Sequence, residues 1–330
     1  MRIAVIGAGA LGCTYATLLA GAGHEVTVTA RGAALAAIVA DGLRLSGGFG
    51  DRQARPTAVD RLRHRPDLTL VCTQAQDAAA AITANADVIA GSPVIVVQNG
   101  LDGVSTAQHL LPGSDCFGAL TLIAAHYEAP GVARVTTPAT TYLGRGSGKA
   151  DAATRHWQDV LGSACPTVTL DNFAGAQWTK LVVNMLNALP AITGLSVQEV
   201  IADAPLRGLM TRSMREAVRV ARARGVRFGR LQGLDDGMLR GFALLPVWAG
   251  QLLPLRMGAR MGTVPNLGST LQSLKRGRLT EVDYLNGAVV REAALAGLPA
   301  PVNARLTALV HEVEASGVHL SPAQVLARFL

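Results

Sequence analysis

Short apolar runs alternate with Ala-rich stretches along the first half of the chain, and near Asp171 this pattern gives way to helical periodicity. The runs at 1–6, 25–29, 68–72 and 94–97 are too short for helices and carry much Val, Ile and Leu. Of these, 68–72 and 94–97 are predicted to be buried parallel strands. A helical segment at 77–82 separates the last two. Residues 118–125, 133–137 and 140–143 predict further strands, read as antiparallel additions with turns at Pro130-Gly131 and Pro138. From Ala174 onward almost no strand signal remains, so an α/β domain over 1–171 is expected to precede an all-helical domain over 172–330.

The first strand runs straight into Gly7-Ala8-Gly9-Ala10-Leu11-Gly12, and an apolar helical segment, Cys13 to Ala20, follows. Strand, G-x-G-x-x-G and helix in that order are what a Rossmann-type dinucleotide-binding domain requires. Gly7 would permit the tight turn, Gly9 the approach of backbone to pyrophosphate, and Gly12 the close packing of helix on strand. The phosphates would rest on the free N–H groups at the positive end of the helix. An NAD-specific fold would place a carboxylate after the second strand. This chain has Ala30-Arg31-Gly32 there, and a guanidinium suits a 2′-phosphate, so the expected cofactor is NADPH/NADP+.

A second candidate for chemistry lies at 177–189, an apolar run in which Lys180, Asn184 and Asn187 recur at helical spacing. An ammonium and two carboxamides among Leu, Val and Met side chains would each cost free energy if buried without partners, which predicts a polar cavity. Lys occurs only at 149, 180 and 275, and only Lys180 sits in an apolar helix. Burial can bring a Lys, but not an Arg, to give up its proton near neutrality. The competing reading is an ammonium reaching solvent from a helix flank.

Bulk properties mainly exclude other classes. With 330 residues, 49% of them hydrophobic, the chain can bury a large core. A net charge of +7 raises the question of nucleic acid, but the arginines are dispersed and aromatic residues make up only 4%, which leaves few stacking platforms. Arg207, Arg212, Arg215, Arg219, Arg222 and Arg224 read as the solvated face of one helix. Cys13, Cys72, Cys116 and Cys165 form no C-x-x-C pair, and the histidines show no ligand spacing, so neither disulfides nor a metal is expected. No signal-peptide pattern is present, and the most apolar stretch, 241–255, is too short to span a bilayer and contains Pro246 and Pro254. These features predict a cytoplasmic enzyme acting on a small molecule, without nucleic acid or membrane. The 241–255 stretch is expected to form a buried helix pair or a homodimer contact.

From end to end the chain resembles the ketopantoate reductases (2-dehydropantoate 2-reductases). The resemblance rests on the Gly7-to-Gly12 loop, Arg31, Gln98-Asn99-Gly100-Leu101, Trp178-Thr179-Lys180-Leu181 with Asn184, and the block from Arg278 to Gly287. It implies NADPH-dependent reduction of a branched 2-oxo acid, with Lys180 as proton donor and Asn99 between cofactor and substrate. It further implies that Asn184 and Ser269 bind substrate; the second helix Asn appears here at Asn187, one residue earlier than in some members, and is taken with them as a substrate-binding residue. Glu281 matches the family's acidic residue near cofactor and Lys, and Ala124 falls at a backbone contact to NADPH. Where the family has a Lys, this chain has Gln74, and residues 269–273 also depart from the family run. Two alternatives therefore stay open: an NADPH-dependent reductase of another 2-oxo acid or an imine, and a non-catalytic NADP(H)-binding regulator.

Overall fold

The structure, a computed structural model, describes residues 1–262 and 264–329. It divides into two compact units, Met1–Ala174 and Gly175–Leu330.

The first unit holds twelve strands: β1 (Arg2–Ile6), β2 (Glu25–Thr29), β3 (Leu43–Gly47), β4 (Arg52–Ala54), β5 (Thr57–Val59), β6 (Leu68–Val71), β7 (Val94–Val97), β8 (Cys116–Thr121), β9 (Ala124–Ala129), β10 (Val132–Thr137), β11 (Thr141–Gly144) and β12 (Thr167–Thr169). Eight of them form one sheet in the order β12-β11-β8-β7-β6-β1-β2-β5. The six from β8 to β5 run parallel, β11 pairs antiparallel with β8, and β12 pairs parallel with β11. Alternate residues of the same strands enter different cores. Ile3, Val5, Leu70 and Ile95 pack with Tyr15 and Leu19 in one core, whereas Ala4, Ile6, Val71 and Val96 pack with Ile82 and Ala107 in another. Burial on both faces is why these strands read as unbroken apolar runs. Because β2 and β6 flank β1 on opposite sides, the strand order reverses at β1, and the carboxyl end of β1 is where such sheets bind ligands.

A second sheet, β4-β3-β10-β9, was only partly legible. The expected strand at 118–125 is two strands in different sheets. β8 ends at Thr121, where Ile123 N–H bonds Thr121 Oγ1 (3.1 Å), and β9 then joins the second sheet. The Pro130-Gly131 turn connects β9 and β10 as an antiparallel pair, but β10 also pairs in parallel with β3. β4, β5 and β12 are only three residues long, too short to set a pattern, whereas β3 does alternate, with Leu43 and Leu45 buried and Arg44 exposed, and was not recognised.

The second unit is helical. Its longest helix, Ala204–Ala223, is capped by the Asp203 carboxylate, which accepts from Leu206 N–H (2.9 Å). Leu206, Met210, Met214, Ala217 and Ala221 form its buried stripe. Arg212, Arg219, Arg222 and Arg224 are exposed as expected, but Arg207 and Arg215 turn inward onto Gln251 Oε1 (2.9 Å) and the Ala243 carbonyl (3.2 Å). The 241–255 stretch is not a buried helix pair. It is split by Leu245-Pro246 between the helices Asp236–Leu244 and Val247–Gly250, and Leu244, Trp248 and Leu252 are exposed. Pro246 has no N–H to donate, so the first helix stops there. Among the described residues no helix is long and apolar enough to cross a membrane.

Candidate active site

The glycine loop joins β1 to the helix Ala10–Gly21 and is shaped by the missing side chains. Gly7 has φ +100°, and a Cβ there would crowd Thr73 Cγ2 at 2.9 Å. At Gly12 a Cβ would overlap the Gly7 carbonyl oxygen, so this helix can approach the strand only with glycine in place. A Cβ on Gly9 would meet nothing within 4 Å, which leaves that side of the loop open. Gly9 caps the helix without a side-chain hydrogen bond, and the first intrahelical bond is Cys13 N–H to Gly9 O (2.8 Å). The N–H groups of Ala10, Leu11 and Gly12 precede that bond and are the natural donors for an anion, so the loop fits a dinucleotide pyrophosphate. Ala8 lies within the turn and is half-buried.

The neighbouring strand ends carry the other N-terminal candidates. Arg31 follows β2, is exposed, and precedes the helix Gly32–Asp41. Gln74 precedes the helix Ala75–Thr83 after β6, and its Oε1 accepts from Gln76 Nε2 (3.0 Å). Asn99 follows β7 and is half-buried, while Ala124 begins β9 and is exposed. Gln98 had appeared only as part of a motif. Its Nε2 donates to Thr73 O (2.9 Å), which ties the carboxyl ends of β6 and β7, and its buried Oε1 has no hydrogen-bond partner among the described residues. Gly loop, Arg31, Gln74 and Asn99 thus follow the carboxyl ends of β1, β2, β6 and β7, four adjacent strands of one sheet.

In the second unit the helix Phe173–Asn184 presents Lys180 with only 9% of its surface exposed, while Lys149 and Lys275 are exposed. Trp178, Thr179, Leu181 and Val182 around it are buried, and the Thr179 hydroxyl lies 2.6 Å from Gly229 O, fixing the helix in its rotation. Burial pushes the Lys180 ammonium down to about 8, and the Glu281 carboxylate opposes that fall. Two residues far apart in sequence are therefore electrostatically coupled.

The expected stripe is modified by a break. The helix ends at Asn184, and Leu186 N–H and Asn187 N–H bond carbonyls three residues back (3.1 and 3.0 Å). Asn187 then caps the next helix, Ala188–Thr193. Pro190 gives the reason: in one continuous helix its ring would strike the Leu186 carbonyl, whereas in the first turn of a new helix its missing N–H costs nothing. Asn184 keeps its place one turn beyond Lys180, and its buried Nδ2 has no hydrogen-bond partner among the described residues. Asn187 Nδ2 is 3.4 Å from Ser269 Oγ. Gly268 makes this approach possible, because at φ +68° a Cβ would lie 2.7 Å from Asn187 Oδ1.

A buried polar network also emerged that no sequence pattern revealed. Asn303 Oδ1 accepts from Ser213 Oγ (2.8 Å) and from Asn286 Nδ2 (2.9 Å), and Asn303 Nδ2 donates to Glu216 Oε2 (2.8 Å). Asn286 Nδ2 also lies 3.5 Å from Met185 Sδ. Its contacts reach both the residue after Asn184 and the helix that follows Glu281. Only the clustering of Asn and Ser in apolar helices could have signalled it.

The ketopantoate reductase PanE/ApbA family matches residues 3–148, and its C-terminal counterpart matches residues 172–314. The 2-dehydropantoate 2-reductase of Pyrococcus abyssi is 28% identical over 96% of this chain and 98% of its own. The enzyme of that name from Halobacterium salinarum is 30% identical over 96% and 100%. The crystal structure of a PanE/ApbA family ketopantoate reductase from Ralstonia eutropha JMP134 superposes with a TM-score of 0.82 at 32% identity, covering 96% of this chain and 99% of that one. With both halves matched in order and along nearly their full length, the chain belongs to the ketopantoate reductase family, NADPH-using oxidoreductases that act on CH–OH groups.

Proposed function

We propose that this protein reduces 2-dehydropantoate to (R)-pantoate with a preference for NADPH, and that Lys180 is the proton donor. The observation that carries the reading is the buried Lys180, with an ammonium brought down to about 8. A group titrating near the working pH is the most effective general acid.

Ala10, Leu11 and Gly12 N–H groups would hold the pyrophosphate, and Arg31 the 2′-phosphate. Gln74, Asn99 and the backbone at Ala124 would complete the cofactor's surroundings. When bound there, NADPH would supply the hydride for the 2-carbonyl carbon. As negative charge grows on the carbonyl oxygen, Lys180 Nζ gives it a proton, so C=O becomes CH–OH and the amine is left neutral. Asn184 Nδ2, a donor with unmet bonding capacity, would share that oxygen or the adjacent carboxylate. Ser269 and Asn187, already paired, offer hydroxyl and amide groups to the substrate's polar end. Glu281 keeps Lys180 protonated to higher pH than burial alone would allow. Gln74 in place of a Lys retains hydrogen bonding and omits a positive charge.

Following NADPH oxidation with ketopantoate and a panel of other 2-oxo acids tests the reading. Ketopantoate should exceed the other acids in kcat/KM by roughly tenfold or more, the scale of one or two lost contacts. Equal turnover across the panel would replace ketopantoate by another oxo acid, and bound but unreduced substrate would point to a regulator. We also propose a homodimer through the exposed Leu244, Trp248, Leu252 and Leu255. Sedimentation showing only monomer at micromolar concentration would remove it.

A further inference from the structure

Next to Glu281 lies a charged cluster that the reaction as described does not use. His311 is on the helix Pro301–Ser316. Its Nδ1 is 2.6 Å from Glu314 Oε2, and its Nε2 is 3.0 Å from Asp283 Oδ1. Ionised carboxylates only accept hydrogen bonds, so both contacts are made together only when the ring has a proton on each nitrogen. The second Glu314 oxygen, Oε1, accepts from Thr280 N–H at 2.7 Å. Thr280 and Asp283 bracket Glu281 within one turn, and Tyr284 N–H closes that turn onto Glu281 O at 2.9 Å. The two carboxylates therefore grip the turn at both ends, and the imidazolium joins the grips.

We propose that His311 is a positioning residue whose doubly protonated ring latches the Thr280–Asp283 turn and so keeps Glu281 in place to act on Lys180. The catalytic part of this inference rests on the reading of Lys180 as proton donor. Charged groups meet His311 from each side. Its own helix supplies Glu314, and the turn supplies Asp283. The following helix contributes Arg291, which donates to the Asp283 carbonyl at 2.6 Å, and Glu312 is engaged with Arg328 at 3.2 Å. Burial disfavours the His311 cation, but hydrogen bonds and charge from Asp283 and Glu314 outweigh it, so the net displacement is upward from 6.5. A raised folded value means that the latch's stabilisation is complete below the unfolded value and disappears as pH rises through the folded one. The ring and Asp283 are partly exposed, so solvent screening keeps that stabilisation modest.

The test is a double-mutant cycle with His311→Gln and Glu281→Gln, read as the alkaline limb of kcat/KM. His311→Gln should move the limb down by about half a pH unit, because a Glu281 that drifts away supports the Lys180 ammonium less. In the Glu281→Gln background the same change should move it no further. Asp283→Asn should act in the same direction as His311→Gln and serves if that variant folds poorly. A limb left in place by His311→Gln, or moved equally in both backgrounds, would overturn the positioning role. The latch itself is read without catalysis, from the Tm difference between native and His311→Gln protein, which should be present at pH 6 and gone at pH 9. A difference independent of pH would overturn it. A native enzyme with no alkaline limb would instead remove the Lys180 assignment, and the Tm comparison would still decide the latch.

Discussion

The glycine loop of the N-terminal unit and the lysine helix of the C-terminal unit solve opposite problems. Around β1 the candidate groups are backbone N–H donors, and the sequence contributes mainly by leaving side chains out at Gly7, Gly9 and Gly12. Around Lys180 the working groups are side chains, held in an apolar environment that penalises their charge and offset by a carboxylate from a distant turn. The second arrangement carries a burial penalty on the Lys180 ammonium, which under the proposed mechanism lets a proton be given up near neutrality.

Lys180→Ala should separate the two regions most sharply. Its kcat should fall by roughly two to four powers of ten, the usual contribution of a positioned acid. NADPH affinity, measured by fluorescence titration, should stay near native, since the loop and Arg31 are untouched. Arg at 180 should rescue little, because a guanidinium keeps its proton at neutral pH.

Stability should respond in the other direction. The Lys180 value is lowered from 10.5 to about 8, so the burial penalty is full below 8 and is relieved as pH rises toward 10.5. Replacement by Met, of similar length, should raise stability at pH 7 by up to about 3 kcal/mol, with the gain shrinking as pH rises from 8 and nearly gone at pH 10.5. Urea denaturation at the two pH values reads this directly. A Lys180→Met protein less stable than native at pH 7 would mean that the Lys contacts outweigh its desolvation.

Legibility differed between the regions for the same physical reason. The glycine spacing is a local constraint written within six consecutive residues, and the alternation of Ile3, Val5 with Ala4, Ile6 is equally local. Lys180 and Asn184 were legible because a polar residue in an apolar helix is conspicuous. The break at 185–187 could have been read from Pro190, whose ring excludes a continuous helix. Glu281 was found only through family resemblance, since its coupling to Lys180 depends on tertiary packing. Asn303, Asn286 and His311 act through partners on other helices, and no periodicity records such pairings. Half of the second sheet was legible as the strand signal around β9 and β10; β4 is only three residues long, and the Leu43, Leu45 alternation of β3 was overlooked between helix and loop.

Gly12→Ala tests the N-terminal half by adding one methyl group against the Gly7 carbonyl. The loop must shift to admit it, and overpacking of about 1 to 3 kcal/mol corresponds to NADPH binding weakened by roughly ten- to a hundredfold. The Lys180 limb should not move. Arg31→Ala is a smaller perturbation. The KM for NADPH should rise by about tenfold, with NADH use almost unchanged, because only the 2′-phosphate loses its partner. Equal losses with both cofactors would assign Arg31 a different task.

The pH dependence of kcat/KM, followed through NADPH oxidation in native, Lys180→Ala and Glu281→Gln enzymes, tests the central claim most directly. The account predicts an alkaline limb near pH 8 in the native enzyme, where Lys180 loses its proton. Glu281→Gln removes the charge that favours the ammonium, so its limb should lie at lower pH, and Lys180→Ala should show no limb in whatever turnover survives. A native profile flat through pH 9, or a limb that persists in Lys180→Ala, would contradict the assignment of Lys180 as proton donor.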